Sequence, residues 1–79
     1  MTLRERVIIV FTNEKTQRYE RYHGNYPVRL STTTINRLLG NSHTNAEIRK
    51  ELISLEKDGY LHKDLDYSRR GNAVWKWDK

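Results

Sequence analysis

Leu3, Val7, Val10 and Phe11 recur at helical spacing, and Tyr22 extends the same face if one helix runs on to about His23. Thr2 followed three residues later by Glu5 has the spacing of a capping box, in which the hydroxyl and the carboxylate satisfy amides at a helix start. A first helix is therefore expected from this point, with Gly24 as its stop. Ile8 and Ile9 fall outside the stripe. The run Val7-Ile8-Ile9-Val10-Phe11 also suits a strand turning at Asn13 to Thr16, but the cap and the charged flanks favour the helix.

Asn25 to Leu30 holds the single proline, Pro27, and reads as a connector with a short extended piece at Val28-Arg29-Leu30. Ser31 is a good N-cap for a second helix, in which Ile35, Leu38 and Leu39 share a face and Gly40 with Asn41 provides a left-handed exit. Thr44 and Glu47 repeat the capping-box spacing soon after that exit. Ile48, Leu52 and Leu55 then form the stripe of a third helix ending near Asp58-Gly59. Beyond Gly59 the period becomes two, with Leu61, Lys63, Leu65 and Tyr67 on one face and Tyr60, His62, Asp64 and Asp66 on the other. Ser68 to Asn72 is rich in turn formers and Ala73 to Trp77 is β-prone, so residues 60–77 read as a hairpin with Arg69 and Arg70 at its tip. The expected core is Leu3, Val7, Val10, Phe11, Ile35, Leu38, Leu39, Ile48, Leu52, Leu55, Leu61, Val74 and Trp75.

Seventy-nine residues, 35% hydrophobic and 32% charged, allow one domain over 1–79 with a thin core and no room for a deep catalytic pocket. Cysteine is absent, so neither disulfides nor thiolate zinc can hold the fold, which suits a reducing cytoplasm. No apolar run reaches the ~18 residues of a membrane helix, and the first residues turn to charge too soon for a signal peptide. A cytoplasmic protein with no membrane partner is expected. The net charge of +5 favours polyanionic partners. Its excess lies in the first half, where Arg4, Arg6, Lys15, Arg18, Arg21, Arg29 and Arg37 face only Glu5, Glu14 and Glu20.

Two short helices joined by a tight turn make a helix-turn-helix. The whole order, and most specifically the passage Glu51-Leu52-Ile53-Ser54-Leu55-Glu56-Lys57-Asp58-Gly59-Tyr60-Leu61, resembles the winged helix-turn-helix superfamily common among bacterial and phage regulators. Ser31 to Gly40 is similar to its supporting helix. The resemblance implies an α+β fold of three helices with a C-terminal two-stranded wing. It further implies a third helix entering the major groove of duplex DNA through His43, Thr44, Asn45, Arg49 and Lys50, with Arg69 and Arg70 on backbone or minor groove. One feature departs from a strong phosphate ligand: from Thr44 to Asp58 the acidic Glu47, Glu51, Glu56 and Asp58 outnumber Arg49, Lys50 and Lys57. Affinity must then lean on Arg18, Arg21, Arg29, Arg37 and the wing.

Asn45 suits adenine and Arg49 or Lys50 suits guanine, while a solvated helix face or local capping accounts for the same residues. Trp75 and Trp77 share one side of the last strand and fit base stacking or core closure. Tyr19, Tyr22 and Tyr26 interleave with Arg18, Arg21 and Arg29, which suits a nucleic-acid surface or packing beside the hairpin. Asp64 and Asp66 on one strand face suit a cation or, more simply, a solvated edge. His23, His43 and His62 lack paired spacing, so no metal and no cofactor is expected. With no phosphate-binding glycine loop, nucleophile elbow or metalloprotease motif, an enzyme is not expected. Two function classes follow: a DNA-binding transcriptional regulator or accessory factor, or a protein-binding module that occludes a partner through Trp77, Ile9 or exposed tyrosines. Ile8 and Ile9 would serve a homodimer contact.

Overall fold

The computed structural model describes residues 1–24 and 26–79; Asn25, the first residue of the expected connector, lies outside the described residues. Along the chain come helix α1 (Leu3–Tyr22), strand β1 (Arg29–Ser31), helices α2 (Thr32–Leu38) and α3 (Asn45–Lys57), and strands β2 (Leu61–Lys63) and β3 (Val74–Trp77). The protein is α+β, with three helices packed on one face of an antiparallel sheet of order β1-β3-β2.

Each helix begins where its side chains satisfy the free amides. Thr2 accepts from the Glu5 amide and Glu5 returns to the Thr2 amide; Thr44 and Glu47 repeat the arrangement at α3, and Ser31 accepts from the Thr34 amide at α2. The run Val7 to Phe11 is helical, placing Val7, Val10 and Phe11 inside. α1 ends one residue earlier than Gly24 would place it, because His23 takes the left-handed conformation itself, at φ 55°. The exit from α2 uses Gly40 (φ 82°) and Asn41 (φ 57°), as the sequence predicts.

The sheet differs from the expected two-stranded wing. The piece read as a connector is a third strand: Arg29 pairs with Lys76, Leu30 with Trp75 and Ser31 with Val74, while Leu61 and Lys63 of β2 face Trp77 and Trp75. This register puts Val28, Leu30, Leu61, Trp75 and Trp77 on the inner face, all buried. Trp77 stacks on Phe11 with ring centroids 5.0 Å apart, and the indole N–H of Trp75 donates to the Thr32 hydroxyl at 3.0 Å. Both tryptophans therefore belong to the core, which removes Trp77 as a partner contact and both as stacking platforms for bases.

Three members of the expected core differ. Leu38 is 46% exposed, because in a helix of seven residues Ile35 and Leu39 set the inward direction and Leu38 is turned off it. Leu3 is half-buried against the core and Val74, on the outer face of β3, is half-buried. The alternation beyond Lys63 also stops. Asp64 starts a turn there: its carboxylate accepts the Asp66 amide, and its carbonyl accepts the Ser68 amide at 3.0 Å and the Ser68 hydroxyl at 2.7 Å. Leu65 is thrown out to 77% exposure as a result. Ser68 then accepts the Val74 amide, and Arg69 and Asn72 exchange backbone hydrogen bonds around a tip made of Arg70 and Gly71. Gly71 stands at φ 78°, which glycine supplies without strain.

No helix among the described residues is long and apolar enough to cross a membrane.

Candidate nucleic-acid interface

The α2–α3 corner is held by a buried polar residue that no local pattern announces. The side-chain amide nitrogen of Asn36 donates to the His43 carbonyl at 2.8 Å and to Asn45 Oδ1 at 3.1 Å. A carbonyl can only accept, so the Asn36 nitrogen must face this way, and Asn45 must turn its oxygen inward. Asn45 consequently shows the outside its two N–H donors. Donors presented there suit acceptors such as guanine O6 and N7, thymine O4 or phosphate, and the second lone pair of Asn45 Oδ1 leaves the donor-plus-acceptor pairing with adenine open. Asn36 Oδ1 is buried with no hydrogen-bond partner among the described residues.

The remaining residues at this end of α3 are partly engaged. Thr44 gives its hydroxyl to the cap, accepting from the Glu47 amide at 3.2 Å and facing Glu47 Oε1 at 3.1 Å. The Thr44 amide and hydroxyl hold the Glu47 carboxyl below its ordinary pKa, so the start of α3 carries a negative charge. His43 contacts the Ser42 hydroxyl through Nδ1 at 3.0 Å. Arg49 and Lys50 are exposed one turn further on.

The acidic C-terminal half of α3 is tied elsewhere. Arg4 on α1 bonds to Ser54 at 3.2 Å and pairs with Asp58, whose carboxylate raises the Arg4 pKa. Glu56 accepts the Lys63 amide at 2.8 Å. Arg6 donates to the Leu39 carbonyl at 3.1 Å, fixing α1 to the corner. Two of the cations in the basic first half are thus structural, and the net negative count of α3 overstates what its exposed N-terminal half presents.

An open groove runs between α3 and the hairpin, floored by Trp75 and Ala73 and lined by Arg49, Lys63, Arg69 and Glu56. It brings together two of the expected residues, Arg49 and Arg69, from elements that meet only through the fold. It adds two that sequence reasoning missed: Lys63, at the end of β2, and the exposed Ile53, one helical turn beyond Arg49. The spacing Arg49 to Ile53 was available as a signal, whereas the position of Lys63 depends on where β2 stops. Arg70 at the tip, Lys50 on α3 and Arg37 in the last turn of α2 are exposed outside this lining, as are Thr44 and Asn45, and the half-buried His43 also lies outside it.

Arg29 and Asp64 form a separate element on the outer face. Arg29 Nε lies 2.8 Å from Asp64 Oδ2 and its guanidinium stacks 4.4 Å from the Tyr67 ring centroid. The Arg29 hydrogen bond lowers the Asp64 pKa and raises that of Arg29. Asp64 is thereby occupied by an arginine, and Asp66 lies in the turn, giving its backbone amide to the Asp64 carboxylate, and not beside it on a strand.

No family model, curated protein or solved structure matches this chain.

Proposed function

We propose that the chain is a winged helix-turn-helix domain that binds duplex DNA, acting as a transcriptional regulator or accessory factor. The N-terminal half of α3 lies in the major groove and the hairpin of β2 and β3 acts as the wing. The observation that carries this reading is the convergence of Arg49 from α3, Arg69 from the hairpin and Lys63 from β2 on one solvent-open groove. Three cations there face one carboxylate, Glu56, which already accepts a backbone amide. A guanidinium on each bank suits a phosphate backbone passing between helix and wing.

The roles divide by engagement. Asn45, Arg49 and Lys50 read base edges or position the helix; Arg69 and Arg70 contact phosphates or a narrow minor groove. His43 and Thr44 set the entry of α3, and Arg37 stands at the far side of the corner as a backbone contact. The domain works without a cofactor or metal.

Exposed Ile53, Leu65 and Tyr67 favour a second reading, in which the same surface binds a protein. Of the residues considered for a homodimer, Ile8 packs against the core and leaves Ile9, 39% exposed, as the contact. Titration of the protein into random and genomic duplex at low and at physiological salt separates the two readings. DNA binding predicts association at low salt that weakens steeply as salt is added. No association even at low salt would overturn it in favour of the protein partner.

A further inference from the structure

A second concentration of arginine and tyrosine lies away from the α3 groove. The last turns of α1, Pro27 and the start of β1 enclose an open cleft lined by Arg18, Arg21, Arg29, Tyr22, Tyr26 and Glu14. The antiparallel register places it towards the opposite end of β3 from the hairpin tip: Trp77 donates to the Val28 carbonyl beside this cleft, whereas Ala73 and Asn72 line the other groove.

The cleft offers exposed aromatic rings beside two arginines, Arg18 and Arg21, of which Arg21 has no carboxylate partner among the described residues. Tyr22 and Tyr26 meet edge to face, centroids 5.2 Å apart and planes at 63°, each is more than half exposed, and the Arg21 guanidinium lies over the Tyr22 ring 5.9 Å from its centroid. Arg18 donates to the Pro27 carbonyl at 2.7 Å, which holds the guanidinium in place, and pairs at 3.8 Å with Glu14 one turn back on the helix, so its charge is partly balanced. Arg21 makes no hydrogen bond or ion pair among the described residues. Arg29 is committed to Asp64, so it forms a wall of the cleft.

We propose that this cleft binds single-stranded nucleic acid, with phosphates on Arg18 and Arg21 and an unpaired base stacked on Tyr22 or Tyr26. Sequence-tolerant strand binding requires this combination of a positive track with open aromatic faces. In a duplex the base faces are covered by their neighbours and the tyrosines gain nothing. An acidic peptide would satisfy the arginines and leave the rings unused. None of these residues belongs to the α3 groove, so the proposal stands or falls apart from the duplex reading.

The test uses the full chain and a labelled oligothymidine of about ten nucleotides, within the span of small single-strand sites. The wild type is expected to bind at low salt and to be displaced by unlabelled single strands far better than by duplex or polyglutamate. Tyr22→Ala and Tyr26→Ala are each expected to weaken binding about fivefold or more, one lost stack apiece, with Tyr26→Phe close to wild type. Arg21→Glu, a change at an exposed position, should weaken it as well. The proposal is overturned if the wild type does not bind, if duplex or polyglutamate competes equally well, or if folded Tyr22→Ala/Tyr26→Ala and Arg21→Glu proteins bind as wild type.

Discussion

The α2–α3 corner and the hairpin tip are built on opposite principles. At the corner nearly every polar side chain is already engaged: Asn36 with His43 and Asn45, Thr44 with Glu47, Arg6 with the Leu39 carbonyl. At the tip, Arg69 uses only its backbone, and the exposed guanidinium groups of Arg69 and Arg70 have no partner among the described residues. Bonds spent inside the protein fix geometry and cannot be offered to a ligand, whereas unspent charges bring affinity without orientation. In the proposed function, the corner therefore sets which way α3 reads and the tip supplies much of the attraction to phosphate.

Breaking the corner at its base should have the largest effect. Leu52 is fully buried under α3, and Leu52→Ala is expected to cost about 2 to 5 kcal/mol. Thermal melting should register this as a fall of roughly 8 °C or more, and an unchanged midpoint would refute the packing described. Asn36→Ala tests the polar lock with a smaller loss, about 1 to 3 kcal/mol for two hydrogen bonds partly offset by removal of the unpartnered Oδ1. In the DNA reading, the same variant should lose discrimination among duplex sequences more than affinity for random duplex. Equal loss on both would show that the lock does not orient α3.

The capping boxes give the comparison a pH dependence. Glu5 and Glu47 both have pKa values held below the ordinary 4.5 by hydrogen bonds from Thr2 and Thr44. Each contributes stability that is fully present above 4.5 and is lost as pH falls through the lowered value. Asp64, held down by Arg29, acts in the same direction. Glutamine keeps the box geometry without titrating. Melting curves taken from about pH 7 to about pH 3 should therefore fall less steeply in Glu5→Gln/Glu47→Gln than in wild type; parallel curves would remove the boxes from the acid response. The smallest effect on folding belongs to the tip, where Arg69→Ala/Arg70→Ala should stay within about 0.5 kcal/mol of wild type in denaturant melts.

This contrast also explains what could be read from the chain. All three helices were legible because their signals are local: Thr2 with Glu5, Ser31, Thr44 with Glu47, and apolar spacing between them. β1 was legible only as an extended piece, since the partner that makes it a strand, β3, is distant in sequence and no alternation fits into three residues. The inward turn of Val28, Leu30 and Trp77 followed from that pairing and was lost with it. Leu65 and Tyr67 continued the period of two, but the Asp64 turn overrode it. At the candidate interface, residue types at the start of α3 and at the tip were readable, while Asn36, Lys63 and the direction of the Asn45 amide are products of tertiary contact.

The most direct test of the division between corner and tip is the salt dependence of duplex binding, measured side by side for wild type and Arg69→Ala/Arg70→Ala on random DNA. If the tip arginines are phosphate contacts, the variant binds more weakly, and the slope of log affinity against log salt falls by roughly two, about one for each arginine. A folded variant with wild-type affinity and slope would contradict the account.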